Sequence, residues 1–239
     1  MASPVERALA WSVHLYTALG VVLALAALAV TVNGNARAAF LFMAVELFID
    51  STDGTMARAA RVKEVIPEFD GSKLDDIVDY LNYTLVPMFF AYRMEMLPAA
   101  IALPVAALPL LASAYGFCQT TAKTADYFFT GFPSYWNIAV YYLYALSMPA
   151  WLNAAILVFL SAMVFVPIGY LYPSRNPFLR GPTLALATLW GAAMLVSLFQ
   201  LPHPSRTLLW ASLAFPAYYF ALSFYLHFRR PIRRPSPER

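Results

Sequence analysis

The sequence contains a single cysteine, Cys118, and only three histidines among its 239 residues. One cysteine cannot form a disulfide within the chain, and the same count excludes a zinc site built on four thiolates. We expect Cys118 to be a packed apolar residue. Charged residues are also scarce, at 12%, whereas 61% of the residues are hydrophobic. This balance is far from that of a soluble domain and indicates a polytopic membrane protein.

Long apolar runs make up most of the chain. Because a span requires roughly 17 to 25 residues, eight transmembrane helices are predicted, near residues 9–32, 36–57, 74–94, 97–116, 135–149, 151–172, 182–201 and 206–228. Pro149 divides one continuous apolar run into the fifth and sixth spans, because proline interrupts a helix. The first run exceeds the apolar core of a signal peptide, so we expect it to remain in the mature protein. The predicted fold class is all-α, a polytopic helical bundle forming a single membrane-embedded domain.

The net charge of +3 is small, and its uneven distribution bears on membrane topology rather than on a nucleic-acid partner. With eight spans, thirteen of the sixteen lysines and arginines fall on the side of the two termini, and only Arg37, Arg93 and Arg206 fall on the other. Because positive residues concentrate on the cytoplasmic side, both termini are predicted to be cytoplasmic. The basic tail at 229–239 is expected to lie on anionic lipid.

The exception to this scarcity of charge is an acidic stretch between two apolar segments. Asp50 and Asp53 are three residues apart, and Asp75 and Asp79 are four apart, so each pair shares one face of a helix. Two such faces brought together form a cage of carboxylate oxygens, which requires cations to offset the repulsion. Oxygen ligands suit magnesium, manganese or calcium and disfavour zinc or copper. Two ions would balance four charges and still coordinate phosphate oxygens.

Small and basic residues accompany these acids. Gly54 and Ala57 continue the face of the first pair, and Gly71 lies one turn before the second pair, so a bulky ligand can approach the backbone. Arg58 is placed to pair with a phosphate. A plain solvated loop is the alternative explanation, but acids at a membrane boundary are costly without a task. The stretch therefore predicts a metal site that binds phosphate.

The complete pattern is D-x2-D-G-x2-A-R, then twelve residues, then G-x3-D-x3-D. It resembles the signature of the CDP-alcohol phosphotransferases, integral membrane enzymes of phospholipid synthesis. Eight positions match, at Asp50, Asp53, Gly54, Ala57, Arg58, Gly71, Asp75 and Asp79. Members of that family commonly have eight residues between the arginine and the second glycine. The longer spacer here, and the stretch ADYFFTGFPSYWN at 125–137, resemble the bacterial phosphatidylcholine synthase branch.

The resemblance implies a role for each motif residue. The metal ligands, for two Mn²⁺ or Mg²⁺ ions, would be Asp50, Asp53, Asp75 and Asp79. Nucleotide or phosphate would be bound by Gly54, Ala57, Arg58, Gly71 and Thr17. Asp79 would also be the general base, and we expect it to be the deepest and least solvated of the four carboxylates. Glu46, one turn before Asp50, is expected to support the ligands from behind.

Three further polar residues near the motif have open roles. Asp76 is rotated by about 100° from its neighbour Asp75 on a helix and is expected to point away from the cage. Asp70 is either a loop residue or part of the site. His14 either touches the nucleotide or is a buried, hydrogen-bonded side chain.

The predicted loop at 117–135 is rich in aromatic residues and contains one acid, Asp126. An aromatic belt at the membrane interface is one explanation. The other is a cage for a quaternary ammonium, in which ring faces and a carboxylate attract the cation. Proximity to the acidic stretch favours the cage, formed by Asp126, Tyr127, Tyr135 and Trp136.

By resemblance, the substrates would be CDP-diacylglycerol and choline, and the products phosphatidylcholine and CMP. A six-helix core at about 9–172 would hold the motif at 50–79, and additional helices would follow at 182–228. The enzyme would lie in the bacterial inner membrane, in contact with membrane lipid, with its site on the cytoplasmic side. Nucleic acid is not expected as a partner, and a homodimer is left open.

Two alternatives remain for the function. Another enzyme of the same family, forming phosphatidylglycerophosphate, phosphatidylserine or phosphatidylinositol, would use the same motif. A phosphorylated acceptor should, however, bring a dense cluster of lysine and arginine, which the aromatic loop does not provide. A cation transporter would place acids near mid-membrane in several helices, yet only Glu46 lies clearly deeper than the boundary.

Overall fold

The computed structural model describes residues 2–122, 124, 126–173, 176 and 178–229. Within this part the α-helices are, in chain order, α1 (Pro4–Val32), α2 (Ala36–Ala59), α3 (Val62–Val65), α4 (Gly71–Asp79), α5 (Val86–Arg93), α6 (Ala102–Cys118), α7 (Trp136–Ala145), α8 (Ala150–Val164), α9 (Arg180–Phe199), α10 (Arg206–Ser212) and α11 (Ala214–Arg229). A π-helical segment (Tyr80–Leu85) joins α4 to α5, and a 3-10 turn (Ala99–Ile101) leads into α6. Two short antiparallel strands are β1 (Phe128–Thr130) and β2 (Gly169–Leu171). Residues 230–239 of the predicted basic tail lie outside the described residues.

A helical segment lies at each of the eight places where a span is predicted. Four of these segments are long and apolar enough to cross a membrane, namely Pro4–Val32, Ala99–Cys118, Arg180–Phe199 and Arg206–Arg229. α2 and the continuous helix at 71–93 are of comparable length but carry the acidic residues. The predicted all-α membrane class is confirmed. The expectation that Cys118 is packed is wrong, because this residue at the end of α6 is exposed.

The fifth and sixth predicted spans, at 135–149 and 151–172, are shorter than expected. α7 has ten residues and α8 has fifteen. α8 begins directly after Pro149, as predicted, but it ends at Val164 because the chain beyond it turns into the strand that pairs with β1. At 1.5 Å per residue α8 is about 22 Å long, less than the ~30 Å hydrocarbon core.

A glycine allows α1 to lie close to α2 and α4. A Cβ atom at Gly20 would be 2.3 Å from Cγ1 of Val78, which no real side chain tolerates. The side-chain amide of Asn82 donates to the carbonyl of Gly20 at 3.0 Å. This close approach sets the distance at which the polar residues of the three helices meet.

The two strands connect the aromatic loop to the C-terminal helix. Phe128 of β1 pairs with Leu171 of β2. From α11, the hydroxyl of Tyr219 donates to the carbonyl of Leu171, and the backbone N–H of Leu171 donates to the hydroxyl of Ser223, both at 3.0 Å. The stretch predicted as a loop therefore contains an ordered segment held by residues about fifty positions away.

Gly131, directly after β1, gives a test of this arrangement. Its φ is +81°, and a Cβ atom there would lie 2.1 Å from the carbonyl oxygen of Val164. Gly131→Ala should therefore destabilise the protein by about 1–3 kcal/mol through overlap and backbone strain. For a chain of this size, each kcal/mol of destabilisation lowers the thermal unfolding midpoint by about 2–4 °C. The midpoint would be measured in detergent. Gly191→Ala is the control, because a Cβ there meets no atom within 4 Å; equal midpoints for the two variants would contradict the prediction.

Candidate active site

Three motif aspartates converge between α2 and α4. Asp50 on α2, and Asp75 and Asp79 on α4, each offer a carboxylate oxygen within 4.8 Å of the other two. All three residues are partly buried. Carboxylates this close repel one another unless a cation compensates them. The donor set consists of oxygen atoms, which fits magnesium or manganese and suits zinc or copper poorly.

The fourth motif aspartate, Asp53, faces α1. Its Oδ2 accepts a hydrogen bond from the hydroxyl of Thr17 at 2.7 Å, and the residue is 6% exposed. Asp53 is thus the most buried of the four, and the expectation that Asp79 is the least solvated is wrong. The reason is the close packing of α1, which covers the outer turn of α2.

Tyr83 orients Asp50, a contact that the sequence analysis did not anticipate. Its hydroxyl donates to Oδ2 of Asp50 at 2.7 Å. Tyr83 lies in the π-helical segment. Pro87 explains this segment, because proline has no N–H to bond to the carbonyl four residues earlier. Just before it, the N–H of Val86 bonds to the carbonyl of Leu81, five residues earlier, as in a π-helix. A proline inside a predicted helix was the available signal of a local distortion next to the motif.

Glu46 is enclosed one turn behind Asp50, where the sequence predicts it. The residue is 1% exposed, and within the described part of the chain neither carboxylate oxygen makes a hydrogen bond of good geometry, although Tyr83 approaches it. Its electrostatic neighbours are Asp50, Asp53 and Asp75. Burial and the neighbouring carboxylates favour the protonated form of Glu46 unless a cation lies nearby.

A cavity of about 510 Å³ opens beside the acids, between α1, α2 and α4. Its lining residues are Val13, His14, Thr17, Asp53, Gly54, Ala57, Arg58, Arg61, Val62, Lys63, Glu64, Phe69, Gly71, Ser72 and Asp75. All five residues predicted to contact nucleotide or phosphate are therefore brought together at one cavity.

The twelve-residue spacer between Arg58 and Gly71 forms the outer wall of this cavity. α3, within the spacer, packs Val62 and Val65 against α1 in a small apolar cluster of its own. Ion pairs at the rim join Arg7 to Glu68, and Arg61 to Glu6 at 3.1 Å. The spacer is thus an ordered part of the site rather than an extended loop.

Asp70, left open between a loop and a site role, is the N-cap of α4. Its Oδ1 accepts from the backbone N–H groups of Ser72 and Lys73 at 3.1 and 3.2 Å. The Lys73 N–H holds the pKa of the Asp70 carboxyl below its usual value. The residue stabilises the start of the helix that carries the second acid pair. Asp76, as expected, is not part of the carboxylate group.

His14 occupies the space beside Gly71. A Cβ atom at Gly71 would lie 2.6 Å from Cε1 of His14, whose ring is 4.6 Å from that of Phe69. His14 is 6% exposed, and its Nε2 has no hydrogen-bond partner among the described residues. The missing side chain of Gly71 therefore accommodates α1 on this side.

The four residues predicted to surround a quaternary ammonium lie in three different environments. Asp126 and Tyr127 are exposed ahead of β1, where Asp126 accepts a hydrogen bond from the Thr124 hydroxyl at 2.6 Å. Trp136 is fully buried and donates its indole N–H to Ser113 at 2.7 Å, so its ring has no accessible face in this conformation.

Tyr135 is the member of this set that lies beside the acids. Its electrostatic neighbours include Asp50 and Asp79. Its ring contacts that of Tyr219 from α11, with centroids 6.2 Å apart. The aromatic segment thus places one phenol group within electrostatic range of two of the carboxylates.

Comparison with known proteins identifies the family. No family model matches the chain. It is, however, 38% identical to a phosphatidylcholine synthase of Legionella pneumophila, with 90% of this chain and 88% of that protein aligned. Identity is 36% to a phosphatidylcholine synthase of Pseudomonas aeruginosa, with 92% of each chain aligned, and 39% to one of Borreliella burgdorferi, with 80% of this chain and 82% of that protein aligned. With such identity over most of each protein, the chain belongs to the phosphatidylcholine synthase family.

Proposed function

We propose that the protein transfers the phosphatidyl group of CDP-diacylglycerol to choline and releases CMP. The observation that carries the proposal is the convergence of Asp50, Asp75 and Asp79 beside a cavity lined by every residue predicted to contact nucleotide or phosphate. The relatives' name supports phosphatidylcholine as the product. A cation transporter would need acids distributed along a path through the membrane, whereas these carboxylates form one group.

Two divalent cations, Mn²⁺ or Mg²⁺, are the proposed cofactors. Bound at these aspartates, they would neutralise the diphosphate and stabilise the charge that develops on it. The side chains of the protein hold the ligands in position: Thr17 orients Asp53, and Tyr83 orients Asp50. Glu46 lies one turn behind Asp50 and supports it from the buried side.

The cytidine diphosphate part of the donor is assigned to the 510 Å³ cavity. Arg58 and Lys63 are exposed at its wall and supply positive charge for the phosphates. Gly54 and Ala57 keep the α2 side of the cavity free of bulky side chains. The nucleotide thereby meets the acids at Asp53 and Asp75.

Asp79 is the proposed general base, and Tyr135 the proposed contact for the choline cation. An ammonium held against the ring of Tyr135 brings the choline hydroxyl towards Asp79. A carboxylate oxygen of Asp79 takes the hydroxyl proton while the choline oxygen forms a bond to the phosphorus that bears diacylglycerol. The bond from that phosphorus to the bridging oxygen of CMP breaks on the opposite side, and CMP leaves. Asp126 and Tyr127 are proposed to attract choline at the surface, and Trp136 to fix its neighbour Tyr135 by packing.

We further propose a location in the bacterial inner membrane, with both termini and the site on the cytoplasmic side. The concentration of thirteen of sixteen positive residues on one side of eight predicted spans supports this orientation. Helices α9 to α11 would then be additions to a six-helix core at about 9–172.

The proposed reaction predicts a metal-dependent activity of the purified protein. In detergent with Mn²⁺ it should convert labelled choline and CDP-diacylglycerol into labelled phosphatidylcholine, and excess EDTA should abolish turnover until Mg²⁺ or Mn²⁺ is added. Asp75→Asn should lower kcat by more than about 100-fold, since even residues that only support metal ligands contribute about 10–100-fold. Asp76→Asn, one position away and outside the carboxylate group, should stay within about two-fold of the wild type. Near-normal activity of Asp75→Asn, or full activity in EDTA, would rule out the metal assignment.

The proposed choline contact predicts a selective loss of acceptor affinity. Tyr135→Leu removes a ring worth about 1–2 kcal/mol to a desolvated cation. The KM for choline should rise about ten-fold, because 1.4 kcal/mol corresponds to a factor of ten. The KM for CDP-diacylglycerol should stay the same. Tyr127→Leu is the control: because cation–π contacts at exposed sites are weaker, it should raise the choline KM by only about two-fold. An unchanged choline KM in Tyr135→Leu would mean that choline binds elsewhere.

The proposed orientation predicts the accessibility of both chain ends. A protease-cleavable tag at either terminus should be cut in inverted membrane vesicles and protected in right-side-out vesicles. Cleavage of the two tags from opposite sides would mean an odd number of spans, which the short α7 and α8 would explain.

A further inference from the structure

The chain bends sharply at 133–135, between β1 and α7. Ser134 has a φ of +57°, in the left-handed region that residues with side chains rarely adopt. Tyr135 follows with a φ of −75° and a ψ of 51°, and the backbone N–H of Trp136 donates to the carbonyl of Ser134 at 2.8 Å. These values are close to those of an inverse γ-turn centred on Tyr135. Two successive backbone conformations therefore set the direction of the Tyr135 side chain.

A serine at positive φ needs support from its surroundings. For a residue with a Cβ atom this conformation is less stable than the ordinary ones, and it persists where neighbouring contacts hold it. Ser134 is 5% exposed, so its hydroxyl needs a partner within the protein. That hydroxyl lies 2.9 Å from the hydroxyl of Ser113 on α6. A residue of α6 thus holds the turn.

Ser113 is bonded to residues on both sides of Tyr135. It is fully buried, and besides pairing with Ser134 it accepts a hydrogen bond from the indole N–H of Trp136 at 2.7 Å. One hydroxyl group therefore connects the residue before Tyr135 to the residue after it. A change in the backbone at Tyr135 would break a buried hydrogen bond, which is costly away from water.

The same turn of α6 contacts the segment that follows the proposed general base. The hydroxyl of Tyr80, directly after Asp79, donates to the carbonyl of Leu110 at 3.1 Å. Leu110 and Ser113 are three residues apart and so share one face of α6. Tyr135 is itself within electrostatic range of Asp79. One turn of α6 is therefore bonded both to the segment that carries the base and to the segment that carries the proposed choline contact.

We infer that Ser113 is a positioning residue for the acceptor: through Ser134 and Trp136 it holds the turn that places the Tyr135 ring against the choline cation. The inference rests on the proposed function, which assigns the cation to Tyr135. Because Ser113 is fully buried, it acts through Tyr135 and not by contact with a substrate. A serine that only stabilised the fold would affect both substrates alike, whereas this role concerns choline alone.

Two substitutions at Ser134 separate the backbone conformation from the hydroxyl group. Ser134→Ala and Ser134→Gly both remove the hydroxyl, but only glycine adopts a positive φ without steric cost. Ser134→Ala should raise the KM for choline about five-fold, less than loss of the whole ring, and Ser134→Gly should keep it within about two-fold of the wild type. In both variants kcat and the KM for CDP-diacylglycerol should change by less than about two-fold. Equal choline KM values for the two variants would overturn the inference.

A double-mutant cycle shows whether Ser113 acts through Tyr135. Ser113→Ala alone should raise the choline KM about five-fold. Added to Tyr135→Leu it should change the choline KM by less than about two-fold, because the ring that it positions is already absent. Multiplied effects would mean independent action and would overturn the inference. Trp136→Phe keeps a buried ring but lacks the indole N–H; it should act in the same direction as Ser113→Ala and serves if that variant does not fold.

The wild type and Tyr135→Leu are measured first, so that the two proposals can fail separately. Absence of turnover by the wild type, or an unchanged choline KM in Tyr135→Leu, would overturn the proposed function or its choline contact, and the inference with it. If Tyr135→Leu raises the choline KM while Ser113→Ala and Ser134→Ala do not, the positioning role alone is wrong. Equal rises in the KM values for choline and CDP-diacylglycerol would also overturn it, because they would indicate a general loss of structure.

Discussion

The structure depends on holding several carboxylates together against their mutual repulsion at the edge of an apolar helical bundle. The close approach of α1 at Gly20 makes this possible, because it brings Thr17 within hydrogen-bond distance of Asp53. Tyr83 performs the same task for Asp50 from the π-helical segment. Hydroxyl groups orient carboxylates without cancelling their charge, so the group keeps the negative potential that attracts a divalent cation. An arginine in either place would stabilise the acids and weaken the site.

The sequence predicts the parts of the site that depend on local helical geometry. Asp75 and Asp79 are four residues apart on one helix, and their meeting with Asp50 follows once the two helices pack. Glu46 is found one turn behind Asp50 for the same reason. The single-residue rotation between Asp75 and Asp76 likewise separates a member of the carboxylate group from a residue outside it.

The features that sequence reasoning missed depend on distant contacts. Asp53 is covered by a helix more than thirty residues earlier, which no spacing rule indicates. The shortening of α8 depends on β2 pairing with a strand about forty residues before it. Trp136 and Tyr135 are neighbours in an aromatic run, but the first is buried and bonded to Ser113 whereas the second is partly exposed and within electrostatic range of Asp50 and Asp79. Composition identifies the run as unusual and cannot say which ring is accessible.

The arrangement of the proposed substrate sites around the carboxylates follows the demands of the reaction. An in-line displacement needs the acceptor and the leaving group on opposite sides of one phosphorus. The nucleotide cavity meets the acids at Asp53 and Asp75, whereas Tyr135 neighbours Asp50 and Asp79, so donor and acceptor approach different ends of the group.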